Sequence, residues 1–232
     1  MGKTKKLVIF GTGEIAELAD YYFSQDSDYE VVAFTADDEF VTESSFRDRP
    51  LIKLSKLKDQ FPAMDYEAHV ALSYNKLNRI RKEKYLLMKE MGYTLASYIC
   101  TKSVFWPDLN IGDNCLILEN QTIQPTVTIG NNVMIWSGNH LGHGCTIKDH
   151  AYISSHVCIS GHTVIGEACF IGVNSTFKDF ITIGSEVFVT MGAGVTKDIK
   201  DGAVVIASQS TIFDLETDLA KKLRSRYFNL ED

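Results

Sequence analysis

Proline is scarce, at four residues in 232, and no apolar run is longer than a handful of residues, Ala203 to Ala207 being typical. The lack of long apolar runs excludes a membrane-spanning helix, which needs ~20 such residues in succession. The basic start, Met1 to Lys6, leads only into Leu7 to Phe10, too short a hydrophobic stretch for a secretory signal. No two cysteines have CxxC spacing, and their number, five, is odd (Cys100, Cys115, Cys145, Cys158 and Cys169). They read as small buried apolar side chains in a reducing compartment, so the expected location is the cytoplasm. Positive charge is not in excess: 23 Lys and Arg stand against 30 Asp and Glu, a net charge of −7. That excludes the basic footprint of a nucleic-acid binder. What remains, 45% apolar and 23% charged, is a globular composition with enough chain for one large domain or two small ones.

A six-residue period fills the second half. Stepping in sixes from Phe105 through Ile111, Ile117, Ile123 and onward to Val195, sixteen consecutive positions are bulky and apolar, eleven of them isoleucine. Chance would give this roughly once in several hundred thousand tries at this composition. Glycine follows the anchor at six steps, and the fifth position is mostly small or β-branched, as at Cys115, Val127, Cys145, Ala151 and Ser175. A helix would place apolar residues at three and four, and a half-buried strand would alternate throughout. Six suits a short strand and a tight corner, three of which make an 18-residue triangular coil. Stacked coils set residue i under i+18 at the ~4.8 Å spacing of paired strands. On this reading the anchor points inward, the glycine gives the corner backbone freedom, the small residue lets it close, and each end of the stack needs a cap.

These Ile-Gly-x-x-(small)-x hexads resemble those of the hexapeptide-repeat acyltransferases, whose prism is a left-handed parallel β-helix. The hand is implied by the resemblance, since the period alone does not set it and parallel crossovers are usually right-handed.

The first hundred residues read as a small, mostly parallel, Rossmann-like α/β domain. A strand at Lys6–Phe10 enters Gly11-Thr12-Gly13-Glu14-Ile15-Ala16, a helix runs to about Phe23, and a strand at Val31–Thr35 ends in Asp37-Asp38. This is half of a mononucleotide-binding unit, with a glycine turn at a helix N-terminus and acids beyond the second strand. A third strand, His69–Ser73, precedes Tyr74-Asn75 and a long charged helix over about Lys76 to Met91, and Thr94–Ile99 reads as the last strand. The glycine loop would hold the nucleotide part of a sugar donor more readily than a whole NAD, unless the glycines merely close a turn. Beyond Val195, Ala203–Ala207 reads as a closing strand and Asp214–Tyr227 as an amphipathic helix that caps the prism. Its Lys221, Lys222, Arg224 and Arg226 complement the helix dipole. The expected domains are therefore 1–100, 101–200 and 201–232.

Five of six histidines fall between 140 and 162: His140, His143, His150, His156 and His162. They could be polar corner residues, a general base that titrates near neutrality, or ligands of a three-histidine zinc site. His150, His156 and His162 share the fourth hexad position, so they sit on three different corners and do not converge within one chain. A metal site would have to be assembled between subunits, and none is expected.

The run Ser137-Gly138-Asn139-His140-Leu141-Gly142-His143-Gly144-Cys145-Thr146-Ile147, behind a small α/β domain, resembles the bacterial nucleotide-aminosugar N-acetyltransferases and sialic-acid O-acetyltransferases up to about residue 207. The resemblance makes His143 the catalytic base. The glutamate that usually follows this histidine is replaced by Gly144, leaving Asn139 and His140 as the nearest helpers. It implies coenzyme contacts at Tyr152, which stands where the family has a second histidine, and at Gly161, Val173 and Met191. The family's closing Gly-x-Pro-Ala is replaced by Ala207-Ser208-Gln209-Ser210. Sugar-nucleotide contacts carry over to Gly11, Thr12, Gly13, Asp37, Asp38 and Ser73, with Tyr74, Asn75, Asn139 and His140 near them. The implied activity is acetyl transfer from acetyl-CoA to the amine of a UDP-, dTDP- or GDP-linked aminosugar in bacterial surface-glycan (lipopolysaccharide or capsule) biosynthesis, by a homotrimer that shares its sites between prisms. Alternatives are sugar O-acetylation, a zinc hydro-lyase like the prism-shaped carbonic anhydrases, and a scaffold carrying a nucleotide sensor. No nucleic acid or membrane partner is expected.

Overall fold

Every sixth residue from Asn114 through Gly192 holds a positive φ, between 54° and 80°, in the computed structural model, which describes residues 2–228. These are the corners of a three-sided left-handed parallel β-helix. Two-residue strands lie between the corners, and each pairs in parallel with the strand 18 residues away, as Thr128–Ile129 does with Thr146–Ile147. The anchors Ile117, Ile135, Ile147, Ile153, Ile159 and their equivalents fill the interior together with the small fifth-position residues.

The glycine of the hexad has a different role from the one its pattern suggests. The left-handed residue is the fourth of each hexad, occupied by Asn114, Asn120, Asn132 and Asn174, by Gly138 and Gly144, and by all of His150, His156 and His162. Asn and His are the side chains best tolerated there after glycine. The glycine after the anchor instead allows neighbouring coils to touch. At Gly172 an ideal Cβ would stand 2.5 Å from the backbone nitrogen of Met191 and 2.7 Å from the carbonyl carbon of Thr190.

The N-terminal domain contains β1 (Lys5–Phe10), α1 (Glu14–Asp26), β2 (Tyr29–Ala36), β3 (Ser45–Phe46), β4 (Arg49–Lys53), α2 (Leu57–Gln60), β5 (Glu67–Val70) and α3 (Arg79–Glu90). The sheet order is β3-β4-β2-β1-β5, parallel except for the β3–β4 hairpin, which the sequence reading lacks. The segment 94–99 is not one strand of this sheet. Leu95 bridges to Ala68, whereas Tyr98–Ile99 pairs with Leu116–Ile117 and already belongs to the prism.

The domain sits on one prism face, the one whose outward residues are apolar. Leu116, Met134 and Tyr152 are buried in a core shared with Leu7, Ile9, Phe23 and Phe34. α3 runs along one edge of that face, where Lys82 pairs with Glu167 at 2.5 Å, Arg79 with Glu186 at 2.6 Å, and Lys89 with Asp113. Beneath it the buried Arg81 donates to the carbonyls of Asn132 and His150 and to Asn78 Oδ1. At the opposite edge the Tyr22 hydroxyl donates to Glu119 at 2.6 Å. The other two faces present mainly threonine outward, among them Thr128, Thr146, Thr182, Thr122 and Thr176, rather than a broad apolar surface.

The closing strand is Val204–Val205, and the last helix is α4 (Asp218–Phe228), with residue 1 and residues 229–232 of the expected terminal segments outside the described residues. α4 does not seal the prism as the sequence pattern suggests, since Leu219 and Leu223 stay 44% and 37% exposed and Ala220 is its one buried residue.

Two predictions follow from this packing. Gly172→Ala should destabilise the fold by about 1–3 kcal/mol through overpacking against fixed backbone. Gly194→Ala, whose new methyl would meet only Thr176 Oγ1 at 3.9 Å, should change stability by less than about 0.5 kcal/mol; denaturant titration separates the two. The second concerns His69 and His150, where burial pushes both imidazoles down to about 4. Between pH 6.5 and 4 the unfolded chain binds more protons than the folded one, so stability rises with pH across that window and is lost as pH falls through it. Unfolding free energies should drop on the order of a few kcal/mol from pH 7 to 4, and His69→Gln should flatten that loss.

Candidate active site

The corner that carries His143 is a four-residue turn, Gly142 to Cys145, closed by the Cys145 N–H donating to the Gly142 carbonyl at 3.2 Å. Gly144 takes the left-handed position (φ 66°). Along this vertex Pro125 lies one coil below His143 and Gly161 one coil above, by the 18-residue register. The imidazole is exposed and lies against Gly161, where an ideal Cβ would be 2.8 Å from Cε1 and 3.0 Å from Nε2. Glycine at 161 is therefore room for the ring, at an ordinary φ.

Three further contacts define the ring's surroundings. Oε1 of Gln124 accepts the backbone N–H of His143 at 2.8 Å and lies 3.2 Å from Nδ1. The ring of His162 stands edge-on to His143, with centroids 4.9 Å apart, and itself stacks on Phe180 at 4.8 Å. That ring also crosses the space above Gly144, where a Cβ would come within 2.6 Å of His162 Nδ1. The place of the missing glutamate is thus covered by an imidazole from the next coil.

The helper for His143 expected at Asn139 or His140 is found at neither. Asn139 is 2% exposed, and its amide is spent inside the corner, donating to the Trp136 carbonyl and accepting the Val157 N–H at 2.6 Å. His140 is half-exposed on the flat face, paired with Cys158 and Thr122 in the coils above and below. Gln124 is the residue the sequence reading missed. Its signal was the register itself, since nineteen residues back from His143 is one coil down and one step aside.

Tyr152 also departs from its expected place. It is buried on the face under the N-terminal domain, away from the His143 vertex, and its hydroxyl accepts the Trp136 indole N–H at 2.5 Å. Its ring meets Tyr74 at 5.1 Å and stacks on Phe170. It belongs with the N-terminal residues rather than with Gly161. Val173 and Met191 occupy a second vertex, in line with Glu119, and are 38% and 70% exposed. The N–H groups of Gly161, Val173 and Met191 have no hydrogen-bond partner among the described residues.

The N-terminal residues fall into two groups. Gly13, Ser73, Tyr74 and Asn75 line one cleft of about 440 Å³ with Trp136 and Tyr152, at the N-terminus of α1. Thr12 is half-buried in the same loop. Gly11 is structural: it is buried at φ 132°, and a Cβ there would stand 2.6 Å from the Ala71 carbonyl oxygen. Asp37 and Asp38 line a separate hollow and are already engaged. Asp37 pairs with Lys84 at 2.9 Å, and Asp38 accepts the Ser55 N–H at 3.0 Å and its hydroxyl at 2.7 Å, which holds its carboxyl below the usual range. Among the described residues no three His, Cys, Asp or Glu side chains come together to hold a metal ion, and no helix is long and apolar enough to cross a membrane.

Residues 126–161 match the family model for bacterial transferase hexapeptide (six repeats). No curated protein matches the sequence. Among solved structures, the acetyltransferase domain of PglB from Neisseria gonorrhoeae FA1090 superposes with a TM-score of 0.76 at 23% identity, covering 87% of this chain and 96% of that one. PerB from Caulobacter crescentus, solved with CoA and GDP-perosamine, gives 0.75 at 20% identity, covering 86% and 92%. WeeI from Acinetobacter baumannii AYE gives 0.55 at 19%, covering 90% and 100%. The chain therefore has the fold of bacterial sugar N-acetyltransferases, an α/β domain before a hexapeptide prism.

Gly161→Ala should push the His143 ring off its seat without unfolding the chain, because the clash is with a movable side chain. The expected result is a rotated imidazole that no longer reaches Gln124 in a crystal structure, with stability within about 1 kcal/mol of the parent.

Proposed function

We propose that the protein transfers an acetyl group from acetyl-CoA to the amine of a nucleotide-linked aminosugar, with His143 as general base. The observation that carries this is the exposed imidazole of His143 lying on Gly161, a residue whose N–H has no partner among the described residues. An imidazole is suited to take a proton near neutral pH. A free N–H beside it is suited to meet the oxyanion formed when an amine attacks a thioester carbonyl. The reading is supported by the likeness to PerB, solved with CoA and GDP-perosamine, and to the PglB domain, solved with acetyl coenzyme A.

In this reading residues 1–100 hold the sugar nucleotide, 101–200 carry out the transfer, and the strand Val204–Val205 closes the prism. Gly13, Ser73, Tyr74 and Asn75, with Tyr152 beneath them, would hold the nucleotide in their cleft, and the unused N–H groups at Val173 and Met191 would hold the coenzyme arm. His143 takes the amine proton as the nitrogen adds to the thioester carbonyl. The tetrahedral adduct then collapses, expelling the coenzyme thiolate and leaving the amide.

The cleft and the His143 vertex lie on different sides of one prism, so a complete site would need a second copy, and we propose a homotrimer. The threonine-faced sides make that interface a polar one. The free cysteines suit a reducing cytoplasm, and the product would enter bacterial surface-glycan synthesis.

His143→Ala should lower kcat by at least about a hundredfold, within the range general-base help provides, while coenzyme binding by calorimetry stays unchanged. Assays would compare UDP-, dTDP- and GDP-linked aminosugars with their hydroxyl analogues. Near-normal turnover in the variant would remove His143 from the mechanism, and a monomer in sedimentation at micromolar concentration would remove the shared site.

A further inference from the structure

We infer that Gln124 is the positioning residue of the base: it fixes which nitrogen of His143 carries the proton and so leaves Nε2 free to accept one. This rests on the general-base reading of His143. The argument begins at the backbone. The N–H of His143 can only donate, and the Gln124 side-chain atom that meets it at 2.8 Å must therefore be the amide oxygen. That settles the orientation of the amide. The same oxygen, an acceptor without a hydrogen of its own, lies 3.2 Å from Nδ1. The contact is attractive only when Nδ1 bears hydrogen, so neutral His143 is the Nδ1–H tautomer and its lone pair is on Nε2.

The consequences depend on where Nε2 is. It lies beside Gly161, 3.0 Å from where a Cβ at 161 would be, with Cε1 at 2.8 Å and Nδ1 at 3.2 Å, while Gln124 from the coil below meets Nδ1. Gln124 is half-buried and held between coils, so it fixes ring rotation as well as tautomer. Its place, one coil below the histidine, differs from that of a helper on the residue that follows. Gly144 and the His162 ring above it leave no side chain at 144 to do this work.

Gln124→Met keeps the length and volume of the side chain and removes the acceptor. It should lower kcat at least tenfold, in the range seen when a histidine loses its orienting partner, with KM for the sugar nucleotide and for acetyl-CoA within twofold of the parent. Long-range ¹H–¹⁵N spectra of histidine-labelled protein should show the His143 signal as Nδ1–H in the parent and as a tautomer mixture in the variant. Gln124→Glu keeps an acceptor at the same place and adds a negative charge. It should retain turnover and move the acidic limb of the kcat/KM pH profile upward, because a carboxylate stabilises the imidazolium. A purely structural Gln124 would instead give Met and Glu variants with equal losses and an unshifted profile, which would overturn the inference. So would a parent spectrum showing Nε2–H. An active His143→Ala would refute the general-base reading, whereas an inactive His143→Ala beside a fully active Gln124→Met would refute this inference alone.

Discussion

The molecule depends on one constraint: each coil must hydrogen-bond to the next in strict 18-residue register while turning three corners through the left-handed region of backbone space. The ladder is continuous in this register from Gly112 donating to Ile129 at 2.9 Å up to Gly172 donating to Val189 at 2.8 Å, and the last coil is two residues shorter, with Gly184 donating to Ile199 at 2.8 Å. A slip of one residue would turn every inward isoleucine outward. The same register sets neighbours across coils, so that His143 lies above Gln124, under Gly161 and beside His162. None of these is adjacent to it in sequence. The vertex arrangement is a by-product of the repeat, held by the paired strands on either side of the corner.

What was legible in the sequence follows from this. A hexad anchored on an inward residue repeats at every step, so the prism could be read from spacing alone. β1, α1 and β2 lie within about three residues of their expected ends because glycine and acidic punctuation marks them. The β3–β4 hairpin was not legible, since its turn is made by Arg47 and Asp48, both at positive φ (51° and 60°) without the Asn-Gly signature of such turns. α3 begins at Arg79 rather than Lys76 because Lys76, Leu77 and Asn78 are all left-handed. Asn78 is drawn there by the prism, to whose Ala168 and Cys169 carbonyls it donates at 3.0 and 3.1 Å. A tertiary contact overrode a helical pattern. The histidine cluster divides in the same way: His150, His156 and His162 stand at left-handed corners, a position that favours their residue type whatever they do.

The joining of the two domains has a similar logic. The face with apolar residues pointing outward is the one the α/β domain covers, and the acidic residues along its edge match the basic side of α3. Arg81 anchors this contact from within. It is buried among carbonyl oxygens with no carboxylate partner among the described residues, and burial lowers its pKa to about 10. A guanidinium in such a place is held by the orientation of many backbone dipoles, and these exist only when the coils are stacked. Domain docking and prism formation are therefore coupled, and the cleft at Gly13, Ser73, Tyr74 and Tyr152 takes its shape from both partners.

If His143 is the base proposed above, its neutral partner Gln124 bears on which acceptor the site suits. A carboxylate beside an imidazole stabilises the imidazolium and strengthens the base, as a hydroxyl acceptor requires, since a hydroxyl must lose its proton as it attacks. Gln124 offers direction without charge. An uncharged amine is already nucleophilic, and its proton becomes acidic once the nitrogen has bonded to the carbonyl carbon and turned cationic. An imidazole held in one tautomer, with a nitrogen lone pair free, can remove it. His162, set edge-on to the same ring, adds no negative charge either. On the proposed reading the vertex thus fits nitrogen as the acceptor atom, through the same pair of hydrogen bonds that orients the ring.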